Sequence, residues 1–133
     1  MELVREINDE VALSNPRIVI KYLEEFRNQD REMFIVIGLD TKNKPVYREI
    51  SSIGTLNSSL IHPREVFKKA IMMSASSIII AHNHPSGSVE PSEEDIKVTK
   101  ILVDAGRIIG IGVLDHIIIG DKGEYIFSEN NKI

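Results

Sequence analysis

The sequence predicts an α/β domain in which a mixed β-sheet packs between helices. Three observations favour this class: apolar runs of strand length, amphipathic stretches of helical period between them, and polar turns containing glycine or proline at the junctions. A chain of 133 residues is long enough to bury its own core without disulfides. We therefore expect residues 1–133 to form a single domain.

The first half of the chain predicts one helix and three strands. Residues 2–7 are predicted as a short strand, and residues 17–27 as a helix that begins with a capping side chain ahead of Pro16. Residues 33–39 are apolar on both faces, which is typical of a strand in the middle of a sheet. Turn residues follow, so residues 46–53 are expected to return beside that strand in the antiparallel direction.

The second half of the chain predicts two helices and the rest of the sheet. A helix begins at Pro63 and continues to residue 73, and a core strand follows at residues 77–81. Ser92 caps the next helix, which is predicted to reach about residue 105 and to end at Gly106. The remaining strands are predicted at residues 108–114, 115–119 and 125–127.

The composition narrows the class of protein. The absence of cysteine excludes a disulfide framework and a thiolate zinc site. No stretch is long and apolar enough to span a bilayer, and the first residues do not resemble a signal peptide, so we expect a cytoplasmic protein without a membrane partner. A net charge of −4 and an aromatic content of 5% lead us to expect no direct binding of nucleic acid by this chain.

The residues that are most able to bind a metal or take part in catalysis lie in the stretch 82–95, HNHPSGSVEPSEED. Side chains alternate along a strand, so His82 and His84 face the same way and Asn83 points away. The proline and glycine residues that follow let a carboxylate on the next helix approach both imidazoles. Two imidazoles and one carboxylate bind Zn²⁺ and leave a fourth position for water, which is typical of a catalytic zinc site.

The spacing leaves the third ligand open between two acidic residues. Asp95 forms a capping-box pattern with Ser92 and suits the helix dipole, which is a structural reason for its position. Glu94 lies at least as close to the middle of the helix's apolar stripe. Spacing alone therefore predicts either Glu94 or Asp95, and Ser92 is explained by capping.

A hydrolase also needs a base that is not a metal ligand. The acidic candidates are Glu32, Glu49, Glu65 and Glu90. His116 follows Asp115 in an apolar strand, where it is either a satisfied core residue or half of an imidazole–carboxylate pair. His62 precedes Pro63 at a helix start, and we place neither histidine among the ligands.

The whole pattern resembles a known family. The run HNHPSG at residues 82–87, followed by Ser92 and Asp95, matches the JAMM metalloprotease motif: H-x-H, seven residues, S-x-x-D. In this form it is similar to RadC-like proteins. Four other segments resemble the RadC pattern in the same order, at residues 32–40, 54–56, 62–67 and 113–120.

This resemblance implies an MPN fold, similar to that of cytidine deaminase, and a set of roles. Zn²⁺ would be held by His82, His84 and Asp95. Glu32 would take the family's general acid/base position, and Ser92 would stabilise the attacking water or the developing oxyanion. The implied function is a zinc metallopeptidase or isopeptidase that acts on a peptide or protein substrate.

Two other functions compete with this one. Larger RadC proteins carry a helix-hairpin-helix segment before the MPN domain, which residues 1–31 do not resemble. The alternative is a metal-binding module of DNA repair or mobile elements that lacks peptidase activity. A base deaminase would need cysteine ligands and a glutamate after the first histidine, whereas this chain has Asn83 there and no cysteine.

Overall fold

A six-stranded mixed sheet forms the centre of the computed structural model, which describes residues 2–6, 11–85 and 87–133. The strands are Glu2–Glu6 (β1), Met33–Leu39 (β2), Pro45–Ser52 (β3), Ser77–Asn83 (β4), Gly112–Ile119 (β5) and Glu124–Ile126 (β6). Their order across the sheet is β1-β3-β2-β4-β5-β6. Strands β4 and β5 run parallel and the other neighbouring pairs run antiparallel, so the predicted mixed sheet is confirmed.

Helices cover both faces of this sheet. The α-helices are Pro16–Tyr22 (α1), Pro63–Met72 (α2) and Glu93–Ile109 (α3), and short 3₁₀ helices occupy Glu24–Phe26 and Ser128–Asn130. Phe67 of α2 and Leu102 of α3 are buried in one core, whereas Val19 of α1 and the neighbouring Leu23 are buried in the other. The predicted α/β class with the sheet between helices is confirmed.

Strand β2 shows why a central strand is apolar on both sides. It pairs with β3 on one edge and β4 on the other. Phe34 and Val36 contribute to the core beneath α2 and α3, while Ile35 and Ile37 contribute to the core beneath α1. The side-chain period of two therefore divides one apolar run between two cores.

The helix predicted over residues 17–27 is shorter than expected. It begins as predicted, because the Asn15 side chain accepts a hydrogen bond from Ile18 N at 3.1 Å, but the α-helix ends at Tyr22. Leu23 N bonds to both Val19 O and Ile20 O, and this shift toward i→i+3 bonding leads into the 3₁₀ turn.

The predicted end of α3 is wrong, and so is the strand predicted from residue 108. The helix continues through Gly106 to Ile109, and Gly110 ends it in the left-handed conformation with φ of 86°. Gly106 instead lies where backbones approach closely, because a Cβ there would stand 2.4 Å from Ile111 O. Strand β5 accordingly begins only at Gly112.

The other predicted elements are present with ends that differ by one or two residues. Residue 7, at the end of the first predicted strand, lies outside the described residues. No helix in the described ranges is long and apolar enough to cross a membrane.

Strand β5 contains a β-bulge. Its register against β4 shifts after Val113, which faces Ile78, so that Ile79 faces Asp115 and Leu114 has no opposite residue. The side-chain alternation changes phase at this point. Val113 packs in the core beneath α2 and α3, whereas Ile117 packs in the core beneath α1. The two strands predicted at residues 108–114 and 115–119 are therefore one strand that contains a bulge.

Strand β4, helix α3 and strand β5 form a parallel crossover unit. The histidines lie at the C-terminal end of β4, and α3 begins after the loop that follows. This strand-to-helix junction is where open α/β sheets commonly hold their sites.

Candidate metal centre

The two histidines of the H-x-H pair converge at the end of β4. Their Nε2 atoms lie 2.9 Å apart. His82 is 1% exposed because it belongs to the fully buried strand, whereas His84 follows the strand and is half-buried. Alternation along the strand places both imidazoles on the side of the sheet that α3 covers.

The start of α3 brings a carboxylate to this pair. Asp95 Oδ1 lies 3.1 Å from His82 Nε2, and Asp95 Oδ2 lies 3.3 Å from His84 Nε2. Glu94, the alternative ligand, points elsewhere, since its Oε2 accepts a hydrogen bond from Ser58 N at 3.1 Å. The structure therefore places Asp95 rather than Glu94 against the imidazoles.

The N-cap of α3 fixes the Asp95 carboxylate. Ser92 Oγ accepts a hydrogen bond from Asp95 N at 3.0 Å, and Ser92 N donates to Asp95 Oδ2 at 2.8 Å. This reciprocal pair is the capping box that the sequence indicates. The same aspartate thus caps the helix and faces the histidines. Its capping role and a role as a metal ligand are therefore compatible.

The contacts of this cluster shift two pKa values. Burial acts to raise the pKa of Asp95, but hydrogen bonds from His82 and His84 outweigh it and hold that pKa well below its ordinary value. Burial acts to lower the pKa of His84, but hydrogen bonds with Asp95 and the Ser88 carbonyl outweigh it and raise that pKa. The ionised carboxylate of Asp95 and the protonated imidazole of His84 therefore stabilise each other.

Glu32 reaches the pair from the adjacent strand. It directly precedes β2, whose residue Phe34 faces His82, so continuing the antiparallel register places Glu32 opposite His84. Glu32 Oε1 lies 3.9 Å from His82 Nε2. Glu32, His82 and His84 each offer one ligand atom, and these atoms lie within 4.8 Å of one another.

Asn83, between the two histidines, holds the backbone around Glu32. Its Nδ2 donates to Arg31 O at 2.7 Å and its Oδ1 accepts from Met33 N at 2.6 Å. On the other side, Glu32 O accepts a hydrogen bond from Ile53 N at 3.1 Å. The sequence indicated only that Asn83 points away from the histidines. Its hydrogen bonds to the backbone beside Glu32 were not predicted.

The other predicted candidates lie apart from the pair. Glu49 forms an ion pair with Lys69, and Glu65 and Glu90 are exposed. His62 occupies the N-cap position of α2, as its place before a proline indicated. Of the four acidic candidates for a base, Glu32 is the one that the described structure brings to the histidines.

His116 is a satisfied core residue, but its partner is not the predicted carboxylate. Asp115 Oδ1 accepts from the His116 backbone N–H and from Ser128 N, and Asp115 Oδ2 accepts from Ser128 Oγ. An imidazole–carboxylate pair between these neighbours is therefore wrong. The His116 ring instead contacts His82, with Nε2 lying 2.7 Å from His82 Nδ1, and stacks on Phe127.

Burial favours the neutral form of His116. The residue is 0% exposed, and desolvation together with the nearby His82 lowers its pKa well below the ordinary value. Adjacent residues in a strand point to opposite faces, which is the physical reason that the Asp115 carboxylate does not pair with the His116 ring. The contact of His116 with His82 depends instead on the register between β5 and β4.

The donor atoms of the cluster suit a cation. His84 Nδ1 lies 2.7 Å from the Ser88 carbonyl oxygen, which only accepts, so a neutral His84 ring presents an unprotonated Nε2 to the site. The Asp95 carboxylate also only accepts. Ligands about 2.0–2.1 Å from a tetrahedral zinc lie about 3.3 Å from one another, and the observed separations of 2.9, 3.1 and 3.3 Å are close to this.

The chain is similar to a described protein family along most of its length. The family model for the RadC-like JAB domain matches residues 13–132. A UPF0758 protein of Desulforamulus reducens is 62% identical over 100 residues, which are 75% of this chain and 44% of the relative. A UPF0758 protein of Bacillus cereus is 54% identical over 117 residues, 87% of this chain and 52% of the relative.

A third relative is nearly as similar. The UPF0758 protein of Methanosarcina mazei is 52% identical over 115 residues, which cover 86% of this chain and 50% of the relative. The chain thus spans about half the length of the curated relatives it matches.

Proposed function

The chain belongs to the RadC-like JAB domain family, and on that premise we propose that it is a zinc-dependent JAMM hydrolase that cleaves an amide or isopeptide bond. The predicted resemblance to RadC-like proteins, with its mixed α/β MPN fold, is confirmed by the match. One observation carries the proposal: the Nε2 atoms of His82 and His84 converge with the carboxylate oxygens of Asp95, and Glu32 lies beside them.

We assign different roles to the two carboxylates at the site. Asp95 lies 3.1 and 3.3 Å from the two imidazole Nε2 atoms, which supports a ligand role with His82 and His84. Glu32 lies 3.9 Å from one of them, which supports the role of a base that is not a ligand. Zinc in this position would polarise a substrate carbonyl and lower the pKa of a bound water toward about 7.

Glu32 is proposed to accept the proton of the attacking water and to deliver it to the leaving amine. Such proton transfer by a positioned side chain typically contributes about 10²- to 10⁴-fold to rate. The bonds of Asn83 to the residues on either side fix the backbone and leave the Glu32 carboxylate to exchange protons. This separation of anchor and reactive group supports the assignment.

Ser92 is proposed to donate a hydrogen bond to the oxyanion of the tetrahedral intermediate. Its Oγ accepts from Asp95 N, and this cap leaves the hydroxyl proton available for donation. The residue is exposed at the start of α3, so a substrate can approach it.

Metal analysis tests the first step of this proposal. We expect purified wild-type protein to carry roughly stoichiometric zinc and the His82→Ala and His84→Ala variants to lose it, because each removes one imidazole ligand. His62→Ala is the matched control, since His62 is exposed at the N-cap of α2. Equal, small amounts of zinc in all four proteins would contradict the site.

Substrate assays test the second step. Zinc-loaded protein is incubated with a fluorogenic peptide library and with lysine-linked isopeptides, and cleavage is followed by mass spectrometry. We expect cleavage of at least one amide class and its loss on chelation. Zinc binding without any cleavage, together with salt-sensitive DNA binding by the same chain, would instead support the metal-binding module.

A further inference from the structure

A chain of hydrogen bonds runs through the core behind His82. His82 Nδ1 lies 2.7 Å from His116 Nε2, and His116 Nδ1 contacts Thr99 Oγ1. Thr99 Oγ1 in turn donates to Asp95 O at 2.8 Å. The four residues are each no more than 1% exposed, so water does not compete for these contacts.

We propose that His116 and Thr99 are positioning residues that hold His82 in the tautomer with its proton on Nδ1. This inference deepens the proposed function and rests on it in one respect, which is the assignment of His82 as a zinc ligand. The contacts themselves are hydrogen bonds between residues of this protein, and they do not depend on that assignment.

The donor and the acceptor in each of these hydrogen bonds follow from counting protons. A backbone carbonyl only accepts, so the contact of Thr99 with Asp95 O uses the single proton of the hydroxyl. His116 Nδ1 must then be the donor toward Thr99 Oγ1. A neutral imidazole that donates from one nitrogen accepts at the other, so His116 Nε2 accepts a hydrogen bond from the protonated Nδ1 of His82.

The consequence for a neutral His82 ring is an unprotonated Nε2. That atom faces His84 Nε2 at 2.9 Å and Asp95 Oδ1 at 3.1 Å, at the centre of the site. A metal needs the lone pair of this nitrogen, and hydrogen bonding at the other ring nitrogen commonly determines which tautomer is present. If His116 Nε2 instead donated to His82 Nδ1, the proton of a neutral His82 ring would lie on Nε2, and that nitrogen could not bind a metal.

Helix α3 makes two separate contributions to the site, one direct and one through these hydrogen bonds. Asp95 projects its carboxylate directly at the imidazoles, and Thr99, four residues later, lies one turn further along the helix. Strand β5 supplies His116, which joins Thr99 to His82, because His116 faces Ile80 of β4 in the parallel register. Helix α3, which provides the proposed ligand Asp95, therefore also helps to set the tautomer of the proposed ligand His82.

Nitrogen NMR of the histidine side chains tests the tautomer directly. Spectra of ¹⁵N-histidine-labelled protein distinguish protonated from unprotonated ring nitrogens, and His82→Gln and His116→Gln variants assign the signals. We expect protonated Nδ1 on both His82 and His116, in the metal-free and the zinc-loaded protein. An unprotonated Nδ1 on either ring in the wild-type protein would overturn the proposal.

Zinc affinity tests the role of the hydroxyl. Thr99→Val keeps the shape of the side chain and removes the acceptor for His116 Nδ1, so we expect zinc affinity to fall by about 10- to 100-fold. Thr99→Ser keeps the hydroxyl and should restore most of the affinity. Ile37→Val, a buried change in the core on the other face of the sheet, is the control that should leave the affinity unchanged.

The outcomes separate this inference from the proposed function. Unchanged zinc affinity in Thr99→Val, measured by competition with a chelator, would overturn the positioning role even if the enzyme cleaves its substrate. If the wild-type protein bound no zinc, the proposed function would fail, and the metal-free NMR spectrum would still decide the tautomer. Urea unfolding of each variant excludes loss of the fold as the cause.

Discussion

The two carboxylates beside the histidine pair are held in opposite ways. Asp95 has its carboxylate bonded to Ser92 N and facing both imidazoles, and it is 1% exposed in the first turn of a helix. Glu32 is held through the backbone, because Asn83 bonds to the flanking residues Arg31 and Met33 and Ile53 N donates to Glu32 O. An immobilised carboxylate suits a ligand, and a carboxylate on a fixed backbone suits a proton carrier.

The largest effect is expected when the immobilised carboxylate is neutralised. Asp95→Asn keeps an oxygen for the helix cap but removes the negative charge between the imidazoles. We expect zinc affinity to fall by more than about 100-fold, beyond the range typical of residues that only support a ligand. Competition with a chelator measures this change.

Glu94→Gln is the matched control for that experiment. Its carboxylate accepts from Ser58 N and is directed away from the imidazoles, so zinc affinity should be retained. Retention of zinc by Asp95→Asn with loss by Glu94→Gln would reverse the assignment of the two acids.

Replacing the other carboxylate should separate binding from catalysis. Glu32→Gln is expected to lower kcat by about 10²- to 10⁴-fold, because an amide cannot carry the proton. Zinc content should stay near that of the wild type. A variant that loses zinc as severely as Asp95→Asn would show that Glu32 is a ligand and that the contrast between the two carboxylates is false.

Removing the anchor of Glu32 should give a smaller and mixed effect. Asn83→Ala leaves Arg31 O and Met33 N without their partner, at a cost of about 1–3 kcal/mol in the free energy of unfolding for each group left unsatisfied. Urea denaturation measures this loss, and exposed Asn28→Ala is the control. We also expect kcat to fall more than zinc affinity, and an equal fall in both would contradict the anchoring role.

The smallest effect is expected in the pH dependence of metal-free stability. The pKa of Asp95 is lowered on folding, so its contribution is present above the unfolded value of about 3.9 and is lost as the pH falls through the lower folded value. The pKa of His84 is raised, so its contribution is present below about 6.5 and is lost as the pH rises through the folded value.

Urea midpoints measured across pH test both contributions together. Stability of the metal-free protein should be greatest between these limits, and Asp95→Asn should flatten both sides of the profile because the aspartate and His84 stabilise each other. An unchanged profile in that variant would show that the pair contributes nothing to folding.

The sequence was sufficient for the parts of the site that depend on local period. Alternation along β4 predicted that His82 and His84 face one way, and the capping pattern predicted the start of α3. The choice between Glu94 and Asp95 was not decidable in the same way, because both lie near the apolar stripe. It depends on the hydrogen bond from Ser58 that draws Glu94 aside.

The contacts of His116, Thr99 and Asn83 could not be predicted from the sequence. Each joins different elements of the sheet or a helix to the sheet, so it depends on strand order and register rather than on period. The end of α3 was misplaced for a related reason. Gly106 was interpreted as a helix end, and its actual role is to let the backbone at Ile111 approach.

The bulge in β5 has a further consequence for the site. Because Leu114 is an extra residue, His116 faces Ile80 and lies on the same side of the sheet as His82. If Leu114 were instead paired in an unbroken register, His116 would face Ala81 and point toward α1, and Asp115 would take its place in the core behind the histidines. The unpaired position of one leucine therefore decides whether a neutral imidazole or an acid supports His82.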